Sequence, residues 1–398
     1  MGELRLASNG SSPQRLVSVQ AALAPFLRFV TESVWASRHE SPDVCDFVFG
    51  NPSEPPLVPF VEALHRSVIP GNVQWYGYKW SEPGAQEVIA RTLRKRTGLP
   101  FEPADICMTN GAYAAISVTL RAILESGDEV VFLRPPWFFY EALIVAYEGR
   151  AVRVSIDDNT FDLDLNAIAA AITPRTRAVI VNSPHNPTGK IYRPETLAAL
   201  ASLLAAASAR HGRRIFILSD EAYSRIVFDG AACHSPAEFY PDTFVIYTYA
   251  KTLLTPGQRI GYVALPPQMM DRDRLRLDLL TAQLVTGFAF PNALLQHALA
   301  ELEDLSLDLE HLQRKRDGLV GALRSIGYDV HVPEGTFYLL PRAPGGDDVR
   351  FCERLEGVDV FCLPGTVVEL PGYFRISLTA NDEMIARALP RFAAAFQA

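Results

Sequence analysis

The chain has 398 residues, too many for one ordinary core and about right for two domains. Its 48% hydrophobic and 21% charged content match those expected of a soluble globular protein. A net charge of −8, with no stripe of Lys and Arg interleaved with aromatics, argues against nucleic acid as a partner, and no apolar run reaches the roughly 20 residues that cross a bilayer.

The opening MGELRLASNGSSPQ lacks the basic-then-apolar order of a signal peptide, and Leu6 stands where a myristoylation motif needs Ser or Thr. The five cysteines are scattered, with no CxxC and no His at metal spacing. They read as the reduced thiols of a cytoplasmic protein, and no metal site is expected.

Residues 1–14 read as a flexible arm. Residues 15–38 carry mainly helical periodicity, with a kink expected at Pro25. From about residue 100, short β-rich runs alternate with Ala- and Leu-rich helical stretches. The runs are DICMT, EVVFL, AVRVSI, AVIVNS, RIFILS, FVIYTYA and RIGYVALP. They are almost continuously apolar, as strands covered on both faces should be, so the expected class is α/β, a mostly parallel seven-stranded sheet between helices. After residue 290 the pattern changes. One long helical region from NALLQHALAEL to LRSIG leads to short strands around TFYLLPR, VDVFCLPG and FRISLTA, which read as a smaller α+β domain. The expected division is 1–48 as an N-terminal arm and part of the small domain, 49–290 as the large domain and 291–398 as the small one.

In an open α/β sheet, ligands gather at the carboxyl ends of the strands. After DICMT comes NGAYAA, where Gly111 opening a helix offers free N–H groups and a positive helix end to a phosphate. Taken alone, that is a plain strand-to-helix turn. After EVVFL, Pro135 and Pro136 aim Trp137 away from the strand, either into a core or toward a flat ligand. After AVIVNS, Asn186 is held in PHNPTGK by two prolines and Gly189. RIFILS ends in Asp220 and Glu221, with Tyr223 three positions beyond Asp220. FVIYTYA ends in Lys251, followed by Arg259 past a Pro-Gly turn. A carboxylate and an ammonium leaving buried strands need partners. An Asp220–Lys251 ion pair would suffice for those two. It leaves the aromatic, the amide, the phenol, the arginine and the glycine turn unexplained. A flat aromatic ligand with a phosphate, an aldehyde and a basic ring nitrogen uses all of them, and pyridoxal phosphate is such a ligand.

The motifs NSPHNPTGK, SDEAYSRI and YAKTLLTPGQRIG, in that order and spacing, make the chain resemble the class I/II aminotransferases of fold type I, from about Asp46 to beyond Arg375. The resemblance implies pyridoxal 5′-phosphate as cofactor. It implies transfer of an amino group from an L-amino acid to a 2-oxo acid in two half-reactions. Lys251 would form the Schiff base and shuttle the proton, and Asp220 would pair with the pyridinium nitrogen. Asn186 and Tyr223 would contact the phenolic oxygen, and Trp137 would stack on the ring. Gly111, the Ala112 and Tyr113 amides, Thr248 and Arg259 would hold the phosphate. Arg375, with Gly50 and Asn186, would bind the substrate carboxylate. Tyr76 would reach the phosphate of a neighbouring subunit, which implies a homodimer with composite sites.

Some positions depart from the family pattern. GNPSEPP stands where Gly-x-Pro-x-Phe is common, Ser81 replaces a glycine, Ala250 precedes the lysine, and Thr248 replaces Ser. Tyr113 stands where aspartate-preferring relatives often carry lysine. With Trp75, Tyr78 and Phe290 expected near the entrance, this reads as an aromatic or neutral amino donor. A lyase or cyclase of the same fold, such as a C–S β-lyase, would use the same Asp220, Lys251 and Arg375 and stays open as an alternative.

Overall fold

The structure is a computed structural model and describes residues 12–397. Of the arm expected over residues 1–14, residues 1–11 lie outside the described residues, and helix α1 (Gln14–Glu32) has already begun at its end. This helix runs on through Pro25, flanked by Phe26 and Phe29, which pack on the body of the protein. The clear interruption falls at Ser33 instead, whose hydroxyl accepts from the Ala36 N–H and starts α2 (Val34–Arg38). Strand β1 (Cys45–Asp46), α3 (Val58–Val68) and α4 (Pro83–Thr97) follow, and α4 stops at Gly98, which adopts φ 73°.

Seven strands build the large sheet: β2 (Ile106–Thr109), β3 (Glu129–Arg134), β4 (Arg150–Ser155), β5 (Thr176–Asn182), β6 (Phe216–Asp220), β7 (Thr243–Thr248) and β8 (Gly261–Ala264). Their order across the sheet is β2-β8-β7-β6-β5-β3-β4. Only β8 runs antiparallel to its neighbours. The central strands alternate their side chains between two apolar layers. Ile180 and Leu218 face one layer with Ile116 and Phe244. Val179, Val181 and Ile217 face the other with Leu200 and Leu204. The helices of these layers are α5 (Gly111–Ile123), α6 (Tyr140–Ala146), α7 (Leu165–Ala171), α8 (Pro194–His211) and α9 (Arg272–Thr286). The seven runs and the mostly parallel sheet read from the sequence are all present.

The long helical region after residue 290 is two helices, α10 (Ala293–Leu302) and α11 (Leu309–Ile326). Asp308 accepts from the His311 N–H at 2.8 Å and restarts the helix, a cap hidden inside a continuous helical pattern. The two helices serve different cores. Leu295, Leu299 and Leu302 of α10 pack with Phe60 of α3 and Ile89 and Leu93 of α4, whereas Leu312, Leu319 and Leu323 of α11 pack with Phe337, Phe374 and Phe392. That second core lies under β9 (Val330–His331), β10 (Tyr338–Pro341), α12 (Asp348–Glu356), β11 (Val360–Phe361), β12 (Leu363–Pro364), β13 (Phe374–Ser377) and α13 (Asp382–Gln397). Strands β12-β13-β10-β9 form a four-stranded sheet, and β11 pairs in parallel with β1, which ties the N-terminal segment into this unit.

The two cores meet where the loop of Asn186–Gly189 docks on Pro333–Gly335. The Gly189 carbonyl accepts from the N–H groups of Glu334 and Gly335, both at 3.0 Å. Gly189 adopts φ 72°, and a Cβ there would come within 2.8 Å of the Gly335 carbonyl. Both facts require glycine. Gly189→Ala is expected to lower stability by about 2–4 kcal/mol, measured as a fall in the urea midpoint with an unchanged slope.

Candidate active site

At the carboxyl ends of β5, β6 and β7 lies a cavity of about 340 Å³, closed by Gly50 and Asn51 from the N-terminal segment and by Tyr338 and Arg375 from the small sheet. Ala112, Tyr113, Trp137, Asn186, Asp220, Tyr223, Thr248, Lys251 and Arg259 are among the residues that line the rest. Gly111 sits one residue behind this wall. Tyr76 is not part of it. That residue is 57% exposed and donates to the Val68 carbonyl.

Asp220 ends β6 inside the protein and is 6% exposed. Its carboxylate accepts from the Tyr140 hydroxyl at 2.5 Å and from the Ala222 N–H at 3.3 Å. Among the described residues no ion pair joins it to Lys251. Burial raises the Asp220 pKa above the usual carboxylate value, against the pull of the Tyr140 bond, the Ala222 N–H and the more distant Lys251. A carboxylate with neutral donors and no cation is poised to accept one from a ligand. Lys251 follows β7 in a turn, with Nζ 5.6 Å from the centres of the Tyr223 and Phe337 rings.

Glu221 has another fate. Its carboxylate pairs with Arg96 and accepts from Ser219 at 2.9 Å and Ser235 at 2.6 Å. It points away from the cavity, as the alternation of a strand requires. Behind the lysine turn, Arg225 binds Glu303 at 2.6 Å, Glu303 also accepts from Tyr249, and Arg225 lies over the Tyr247 ring. These two buried ion pairs pin the segments that carry Asp220 and Lys251.

A second cluster forms a cradle at the start of α5. Asn110 precedes the helix without capping it, so the first N–H groups stay free of a side-chain acceptor. Gly111 adopts φ 80°, and a Cβ there would stand 2.6 Å from Arg259 Nη2 and 3.4 Å from Thr248 Oγ1. The Arg259 guanidinium donates to the Pro256 carbonyl at 2.8 Å, and among the described residues no carboxylate pairs with it. Helix N–H groups, a hydroxyl and an arginine converging on one glycine are a donor set for a phosphate.

The third cluster joins the two sheets. Arg375 is 1% exposed, donates to the Val48 carbonyl at 2.8 Å and to Asn186 Oδ1 at 3.3 Å, and lies 4.1 Å over the Tyr338 ring. It also has no carboxylate partner among the described residues. The Tyr338 hydroxyl is 3.4 Å from that of Tyr223. Burial raises the pKa of Tyr223 well above the usual phenol value. On Tyr338 burial also acts upward, but Arg375 and Lys251 outweigh it and hold this phenol below its usual value. The hydrogen bond runs the same way, with the Tyr223 hydroxyl donating to that of Tyr338. Asn182, at the end of β5, accepts from the Asn186 N–H at 2.7 Å and donates to the Asp220 carbonyl at 2.8 Å, which fixes the amide loop beside the carboxylate. His185 is buried against Thr188 and pushed down to about 3, so it stays neutral.

Eleven of the residues singled out in the sequence thus line one cavity, with Gly111 directly behind them. Trp75, Tyr78 and Phe290 do not reach it. Trp75 stacks on His297 at 3.6 Å, and Tyr78 packs on Phe290 at 4.7 Å, on the outside of the chain. The sequence reading missed Tyr140, Tyr338, Asn182 and Phe26. Asn182 was within reach, since it closes the strand run AVIVN. The others come from a helix start (Tyr140), a strand (Tyr338) and the middle of α1 (Phe26), whose approach only the tertiary fold determines.

Residues 43–392 match the protein family described as aminotransferase class I and II. The chain belongs to that family. It is 32% identical to the aspartate/prephenate aminotransferase of Thermus thermophilus over 369 residues, 89% of this chain and 92% of the relative. It is 31% identical to a probable aspartate/prephenate aminotransferase of Aquifex aeolicus, over 92% of this chain and 95% of the relative. Among solved structures, an aminotransferase from Eubacterium rectale superposes with a TM-score of 0.89 at 30% identity, covering 98% of this chain and 99% of that one. The aspartate aminotransferase of Rhizobium meliloti superposes with a TM-score of 0.83 at 28% identity, over 98% and 99% of the two chains. The fold is therefore fold type I, and the chain is an aminotransferase that depends on pyridoxal 5′-phosphate. The uncapped helix start, the Gly111 space and the cation-free carboxylate of Asp220 fit the phosphate and the basic ring nitrogen of that cofactor.

Because Asp220 must be ionised to meet a ring cation, the apoprotein is expected to lose cofactor affinity as pH falls through the raised Asp220 pKa. Tyr140→Phe removes one donor to the carboxylate. It should move that loss to higher pH, read by fluorescence titration of cofactor binding across a pH series. An unchanged midpoint would contradict the role of the Tyr140 bond.

Proposed function

We propose that the cavity holds pyridoxal phosphate and exchanges the amino group of an L-amino acid for the oxygen of a 2-oxo acid. The observation that carries this reading is the convergence of Lys251, the cation-free Asp220 and the acid-free Arg375 on one cavity beside the Gly111 cradle. When bound, the cofactor supplies a carbonyl carbon that takes up amino groups and a ring that accepts the electron pair left by a departing α-proton. Asp220, with Tyr140 behind it, keeps the ring nitrogen protonated. Asn186 and Tyr223 hydrogen-bond the ring oxygen, and Trp137 covers the ring. Ala112, Tyr113, Thr248 and Arg259 hold the phosphate. Arg375 binds the substrate α-carboxylate in a bidentate manner, with Gly50 alongside. Lys251 holds the cofactor at rest. Displaced by the substrate amine, its free amino group would take the proton from substrate Cα and deliver it to the cofactor's carbonyl carbon, on the other side of the transferred nitrogen. The first oxo acid leaves, a second one enters, and the same groups run the transfer in reverse.

The chain is further proposed to act as a homodimer. Ile69 is 72% exposed, Val73 99% and Tyr78 86%, an apolar surface beside Tyr76. Tyr76 lies outside the cavity of its own chain, which supports a role for its hydroxyl at the phosphate of a second copy. Residues 49–290 are proposed as the large domain and 291–398 as the small one, with 1–48 contributing to the latter. The packing of α10 on α3 and α4 favours a crossover at 303–308 over one at 290.

An amino acid added alone should convert the bound cofactor from its pyridoxal to its pyridoxamine spectrum, and Lys251→Ala should abolish that conversion. Ammonia release with an unchanged pyridoxal form would contradict the transferase reading. Sedimentation should give twice the chain mass, and a monomer with full activity would contradict the composite site.

A further inference from the structure

Three cations line the cavity among the described residues: Lys251, Arg259 and Arg375. In the proposed function each is engaged, by the cofactor carbonyl, the phosphate and the substrate α-carboxylate. Among the described residues of this chain, no fourth cation lines the cavity where a substrate side chain would lie. That space is bounded by a run of aromatic rings. Phe26, on α1, stacks on Phe138 at 4.8 Å with 28° between planes and meets Phe139 edge-on at 5.0 Å. Phe49 stands 6.1 Å from Phe26. Phe139 in turn lies 5.2 Å from Tyr113 and 5.0 Å from Trp137. All six rings line the cavity.

We infer that Phe26 and Phe138 determine specificity, forming with Phe49 and Phe139 a wall that selects α-amino acids with aromatic side chains. This rests on the aminotransferase reading and deepens it. A second substrate carboxylate against this wall would lose its water and gain no cation, a costly exchange. A phenyl side chain would bury apolar area there and meet ring edges and faces at favourable distances. Phe26 carries the inference furthest, because it reaches the cavity from α1, outside the sheet that holds the cofactor groups. The relatives named for aspartate make this a sharp distinction.

The test uses the wild-type holoenzyme first. Its kcat/KM for phenylalanine is expected to exceed that for aspartate by about tenfold or more, the scale on which apolar pockets discriminate. A non-reacting pair gives a readout without turnover. By calorimetry, 3-phenylpropionate should bind at least about tenfold tighter than succinate. Ratios below tenfold in both measurements would overturn the inference while leaving the aminotransferase reading intact. No transfer from any amino acid would overturn both. Phe26→Ala should lower the phenylalanine kcat/KM about tenfold more than the alanine one. Should that variant fail to fold, Phe138→Leu serves the same comparison, and equal losses for the two donors would overturn the role of the wall.

Discussion

The structure is organised around one buried carboxylate. Asp220 ends a strand that is covered on both faces, and its two protein donors, Tyr140 and the Ala222 N–H, carry no full charge. An ionised carboxylate so placed is costly until a cation arrives. The protein has withheld that cation: Arg96 is committed to Glu221 on the opposite side. The neighbouring acids therefore have separate tasks. Glu221 locks the strand end into the body, and Asp220 waits for charge on a ligand.

The other parts of the cavity follow the same logic. Arg375 is buried and Arg259 stands at the exposed rim of the cavity, and both lack carboxylate partners among the described residues, so each is available to an anion. They enter from opposite sides, Arg259 beside the α5 start and Arg375 from β13. A bound phosphate and a bound carboxylate would satisfy them separately. Gly111 and Gly189 are glycine for related reasons. One leaves room in front of Arg259, and the other lets the Asn186 loop touch the small unit. Closure of the cavity thus depends on contacts between the two cores, with Arg375 bonded to Asn186 across them.

Much of this was legible in the sequence because β-strands buried on both faces announce themselves as apolar runs, and the residue after each run is then placed by topology. Asp220, Lys251, Asn186 and Gly111 were found in this way. Arg375 was found only through the family resemblance, since a strand arginine looks the same whether it faces solvent or a cavity. Tyr140 and Tyr338 were missed because their roles depend on which elements meet in space. Trp75, Tyr78 and Phe290 were misplaced for the converse reason: aromatic residues draw attention, but these pack on one another or on His297 outside the cavity. The single helix read after residue 290 hid a cap at Asp308, whose hydrogen bond to the His311 N–H competes with no break in the apolar pattern. Phe26 was unreadable as a wall residue, because nothing local tells a helix which face will cover a distant pocket.

The central claim is that Asp220 keeps its ligand's ring nitrogen protonated. The most direct measurement is nitrogen NMR of the holoenzyme carrying cofactor labelled at that nitrogen. The account predicts a protonated ring nitrogen across neutral pH in the wild type, and loss of that proton in Asp220→Asn. An unprotonated nitrogen at neutral pH in the wild type would contradict it.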